Sequence, residues 1–235
     1  LQVGLTETEV SGALLCLDVT ESIVDEALEK RCNLIVSHHP LLFHAIKTLS
    51  DINYVQRTVM KAIENHVTVV SMHTNLDNAR GGVNFKMAEK IGLEDVRFFD
   101  EKIADDVTSG NGVIGVLPTE MDSMAFIDKV KKVFGVECAQ CNQLLHRKIS
   151  KVALCGGAGS FLLDDAIKTG ADAFITGEMH YHDFFGHEQE IQIAVLGHYQ
   201  TEQFTNEILY SILREAFPSL SLYMTETNTN PIKYL

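Results

Sequence analysis

The chain has 235 residues, 46% of them hydrophobic, which is enough for one large or two small domains with a real core. Its formal net charge of −13 argues against sequence-independent binding of nucleic acid, which needs clustered Lys and Arg; the one dense basic run, Lys129-Val130-Lys131-Lys132, reads as the solvated face of a helix. No apolar stretch reaches the ~18 residues of a membrane span, so no membrane partner is expected and the default location is cytoplasmic.

Taken in chain order, residues 1–100 read as a first αβ lobe. It has strands at 13–18, 34–37 and 67–72 and helices at 21–30, 52–65 and 83–91. Ile23, Val24, Ala27 and Leu28 mark one face of the first helix, with Thr20 or Glu21 at its start. The strands are continuous apolar runs, as parallel strands buried on both faces read, and residues 78–82 interrupt the pattern before the third helix. Residues 101–148 read as a linker: a turn at Ser109-Gly110-Asn111-Gly112, a strand at 113–117 ended by Pro118, and a helix at 122–134. Residues 149–235 read as a second αβ lobe, with strands at 151–155, 173–176 and 191–196, helices at 161–168 and 201–216, and a polar tail from 223 that extends or makes an oligomer contact. Alternation of this kind gives an α/β fold with mostly parallel sheets.

Three strand ends carry chemistry. Asn33-Leu34-Ile35-Val36-Ser37 runs into His38-His39-Pro40, an apolar run ends in His73-Thr74-Asn75-Leu76-Asp77, and another ends in His198-Tyr199-Gln200-Thr201-Glu202. Imidazoles and carboxylates at strand ends are the composition of a site for two metal ions, and α/β folds place ligands at the carboxyl ends of strands. His198 and Glu202 share a helix face if the helix starts at His198; if it starts at Thr201, the histidine lies on a loop.

The chain also reads as duplicated. An offset of 139 residues brings Cys16 onto Cys155, Asp25 onto Asp164, Ala27 onto Ala166, Asn33 onto Asp172 and Ser37 onto Thr176; an offset of 125 brings His73 onto His198 and Asp77 onto Glu202. Two pseudo-symmetric lobes would set the metal site in the cleft between them. Gly177-Glu178 then corresponds to His38-His39, with His180 and His182 close behind.

These motifs, in this order and combination, resemble the NIF-three-like proteins, often labelled GTP cyclohydrolase I type 2 homologues, from Leu1 almost to the C-terminus. The resemblance implies that His38, His39, Asp77, His198 and Glu202 hold a dinuclear centre, with Asp77 as a bridge. It also implies a toroidal homohexamer whose metal sites face an internal cavity. It leaves out His73, which we read, with His180, as a group orienting a ligand or substrate. The chain looks like the compact form without the inserted domain, and its opening at Leu1-Gln2-Val3-Gly4 suggests a missing natural N-terminus.

A mixed nitrogen and oxygen donor set suits Zn²⁺, Mn²⁺ or Fe²⁺ over Ca²⁺. Two ions sharing five residues keep open positions, and such ions lower the pKa of a bound water towards ~7, which favours hydrolysis of a small molecule, possibly a nucleotide. Glu178 is the candidate for proton transfer. The alternative is a protein that stores or delivers metal without turnover; an interaction scaffold is a third possibility. Cys155-Gly156-Gly157-Ala158-Gly159-Ser160 could cradle a phosphate or could simply pack tightly. The five cysteines, odd in number and scattered, suit a reducing compartment, and Cys138 and Cys141 are expected to be buried and inert instead of a zinc site.

Overall fold

The structure, a computed structural model, describes residues 1–99, 101–104 and 107–233; two residues of the expected linker, 105–106, and the last two of the polar tail lie outside the described residues. In chain order the elements are β1 (Ala13–Cys16), α1 (Glu21–Glu29), β2 (Leu34–Ser37), α2 (Tyr54–Glu64), β3 (Thr68–Ser71), α3 (Thr74–Asp77), α4 (Val83–Ile91), β4 (Glu94–Phe98), β5 (Glu101–Ala104), β6 (Val107–Gly110), β7 (Val113–Met121), α5 (Ser123–Phe134), β8 (Gln140–Cys141), β9 (Ile149–Cys155), α6 (Leu163–Lys168), β10 (Ala173–Thr176), β11 (Gln192–Val195), α7 (His198–Glu202), α8 (Thr205–Ala216) and β12 (Leu222–Met224). Short 3₁₀ turns occupy Ser160–Leu162 and Tyr181–Phe184.

Two compact units result. The first comprises Leu1–Leu76 and Thr205–Leu235, the second Asp77–Phe204. In the first, the sheet order is β12-β1-β2-β3, all parallel. Leu14, Cys16, Ile23, Ala27, Ile35 and Val69 form its core, and α1 starts where the Thr20 side chain accepts from the Ile23 N–H. Residues 205–233, expected to continue the second lobe, fold here: Leu222–Met224 pairs beside β1.

The second unit departs from the expectation of mostly parallel sheets. Its sheet, β4-β7-β9-β10-β11-β8, is parallel only across β9, β10 and β11; β4, β7 and β8 join antiparallel. Pro118 does not end its strand, because β7 runs on to Met121 and the proline falls where the β7–β9 register shifts, between Val116 and Met121, so no ladder donor is required of it. The last long helix is not one helix from Thr201: α7 starts at His198 and stops at Glu202, before α8 begins.

The offsets read from the sequence also relate strand pairs of the two units. Cys16 pairs with Ser37 as Cys155 pairs with Thr176, and Ala13 with Leu34 as Val152 with Ala173, all at the offset of 139. The Asn33 side chain accepts from the Ser11 N–H as Asp172 accepts from Ser150, and the left-handed residue after the helix, Arg31, has Gly170 as its counterpart. For the third strand the observed offset is 124, not 125: Leu34 pairs with Thr68 and Ala173 with Gln192. His73, at φ 41, therefore corresponds to Gly197, at φ 99, and His198 begins one residue later in the repeat.

Candidate metal centre

In the first unit, β2 delivers His38 and His39 together. The His38 N–H donates to Cys16 O and the His39 N–H to Leu17 O, so the two residues leave the sheet still pinned to the β1 side. His38 is buried and His39 partly so. His73 joins them: its N–H donates to His38 O, and its ring lies 5.9 Å from that of His38 and 6.0 Å from that of His39, which are themselves 4.8 Å apart. His39 Nδ1 donates to Asp18 Oδ1 at 2.7 Å, and Asp18 Oδ2 accepts from Thr229 Oγ1 at 2.6 Å. With its proton on Nδ1 the ring carries its lone pair on Nε2, the tautomer a metal ligand needs.

In the second unit the same device recurs. His198 opens α7, its Nδ1 donates to Glu178 Oε1 at 2.8 Å, and its Nε2 lies 3.1 Å from Glu202 Oε2 one turn later. A hydrogen bond to the Glu202 carboxylate, then the charge of Glu202 and the contact with Glu178, outweigh burial and raise the His198 pKa above the ordinary imidazole value. Burial, followed by the charges of Asp77 and Glu202, pushes the Cys155 thiol up to about 12, so Cys155 stands neutral beside these carboxylates. Asp77 ends α3, and its carbonyl accepts from Asn84.

Gly157, at φ +60, lets the loop after β9 lie against Glu202: a Cβ there would fall 2.2 Å from Glu202 Oε1 and 3.3 Å from His198 Nε2. The same loop does not cradle a phosphate. Its N–H groups at Gly156, Gly157 and Gly159 donate to Asn84, Thr201 and Thr176 inside the protein, so tight packing is its role.

The remaining expected residues sit as follows. Glu178 is exposed and bonded to His198; His180 is exposed, its N–H donating to Asp183. Cys138 and Cys141 are exposed, contrary to expectation, because β8 is a two-residue strand at the sheet edge. Asp18 was not singled out by the sequence, although it lies two residues past β1 as His39 lies two past β2. Nothing in the polar tail marked Thr229.

Chemically, an imidazole and carboxylate donor set whose histidines are oriented by further carboxylates fits a divalent transition metal; His38 and His39 in the first unit are donors of that type, as is Glu202 in the second. Comparison with known proteins agrees with the fold and the motifs. The profile of the Duf34/NIF3 (NGG1p interacting factor 3) family matches residues 1–231. The chain belongs to this family. A relative from Clostridium perfringens, named GTP cyclohydrolase 1 type 2 homolog, is 34% identical over 86% of this Duf34/NIF3 chain and 77% of its own. A Staphylococcus aureus hypothetical protein has the same fold at a TM-score of 0.91, with 26% identity over 99% of this chain and 90% of its own. A Bacillus cereus protein related to NIF3 superposes at 0.87, with 23% identity over 100% and 92% of the two chains.

Proposed function

We propose that this Duf34/NIF3 protein holds two divalent transition-metal ions, Zn²⁺, Mn²⁺ or Fe²⁺, on His38, His39, Asp77, His198 and Glu202, and uses them to hydrolyse a small molecule. The observation that carries the reading is the repeated device: in each unit a strand-end histidine is turned by a carboxylate bonded to its Nδ1, His39 by Asp18 and His198 by Glu178. Chain connectivity supports drawing ligands from both units, since the chain crosses between them at Leu76/Asp77 and Phe204/Thr205, within three residues of His73, Asp77 and Glu202. Matched strand registers support two pseudo-symmetric lobes, as does the family for a homohexamer, to be checked by light scattering against six times the chain mass.

The ions would supply an activated water and stabilise the oxygens of a displacement. The chain's own contribution is orientation by Asp18 and Glu178 and selection of substrate. Beside His39, within the first unit, lies a cavity of about 490 Å³ lined by Asp18, Pro40, Leu41, Phe43, Tyr54 and Val55 among others. An apolar, aromatic lining with a carboxylate suits an uncharged planar ring better than a polyphosphate, so the GTP in the relatives' names is not adopted as substrate. Storage or delivery of the ions is the second reading; it is favoured by the bond that ties Glu178, the candidate for proton transfer, to His198.

Purified protein should carry close to two metal equivalents per chain by plasma mass spectrometry. His39→Ala and Glu202→Ala should each reduce that content, and undiminished metal in either removes that residue from the ligand set. Turnover of nucleosides or phosphoesters above the level of a variant carrying both His39→Ala and Glu202→Ala supports hydrolysis; none supports delivery.

A further inference from the structure

We infer that the C-terminal segment 222–229 is a positioning strap for the metal centre, with Thr229 setting the orientation of His39 through Asp18. The segment follows β1 in parallel: Ala13 pairs with Leu222 and Leu15 with Met224, and the Thr225 N–H donates to Leu15 O. It is then clamped by Glu26, a largely buried carboxylate on α1 that accepts from Thr225 Oγ1 and the Glu226 N–H. Four residues beyond Thr225, Thr229 reaches the far end of β1 and donates to Asp18 Oδ2 at 2.6 Å, while Asp18 Oδ1 accepts a hydrogen bond from His39 Nδ1 at 2.7 Å. A carboxylate with one oxygen fixed by a hydroxyl cannot rotate without losing that bond, so the imidazole it holds is fixed in ring plane and tautomer. The second unit orients His198 with Glu178, from the loop after β10; the first reaches the same result with a carboxylate that depends on a partner more than two hundred residues away.

The inference rests on the metal reading for its consequence, not for its geometry, and two readouts separate them. In metal-free protein, ¹⁵N NMR of the His39 ring should show a protonated Nδ1, and Thr229→Val and Asp18→Asn should both shift that ring's nitrogen signals. In chelator competition with Zn²⁺, Thr229→Val should weaken binding about 10-fold and Asp18→Asn by about 10–100-fold. Thr229→Ser should restore the wild-type value, which a general loosening of the C-terminus does not predict. A Thr229→Val protein with unchanged ring signals and unchanged zinc affinity overturns the strap. Wild-type protein that takes up no zinc removes the metal reading, while the ring signals still decide whether Thr229 positions His39.

Discussion

Gly157 shows how little room this centre leaves at single residues. Its φ of +60 lies in the left-handed region, and a methyl group there would meet Glu202 Oε1 at 2.2 Å. Gly92 provides a control, since its φ is +79 but nothing lies within 4 Å of its absent Cβ. Alanine at either position carries a left-handed cost of about 1–2 kcal/mol. Only Gly157→Ala also displaces Glu202. Thermal melting should therefore place Gly157→Ala below Gly92→Ala, and zinc content should fall in the first and hold in the second; equal zinc contents would show that Glu202 tolerates displacement. The contact of His198 with Glu202 was legible because a histidine and a carboxylate four apart at the end of an apolar run stand out. Asp18 and Thr229 were not, because one looks like any acidic loop residue and the other acts across the length of the chain.

At the scale of elements, the strap depends on β12, three residues long. So short a run has no periodicity to read, nor has the two-residue β8; β4 and β5 escaped sequence reading because charged residues break their apolar pattern, whereas the buried strands β1, β2, β9 and β10 were plain because each is a largely apolar run. What holds β12 is a side chain on another element. Burial pushes the Glu26 carboxyl up, but hydrogen bonds from Thr225, Glu226 and Thr227 overcome that and hold its pKa below the ordinary value. A depressed carboxylate contributes stability that is present above its unfolded value, about 4.3, and is lost as pH falls through the depressed one. Glu26→Gln should cost about 1.5 kcal/mol at neutral pH in urea unfolding, with the difference from wild type shrinking in acid below that range. A difference that persists undiminished at low pH would assign the loss to packing instead of charge.

For the whole molecule, the decisive property is that the proposed ligands are divided between two folding units: His38 and His39 on one, Asp77, His198 and Glu202 on the other. An ion held by both sets binds only when both units are folded, so metal should stabilise them as one. Zinc at about a thousand times its dissociation constant adds roughly 4 kcal/mol to a native state that alone binds it. Calorimetry of the metal-loaded protein should accordingly show one transition that chelation lowers. His39→Ala, confined to the first unit, should abolish the zinc increment as fully as Glu202→Ala in the second. If zinc still protects the His39→Ala protein as strongly as wild type, the second unit binds the metal with its own residues, and the histidine pair of β2 serves something other than that ion.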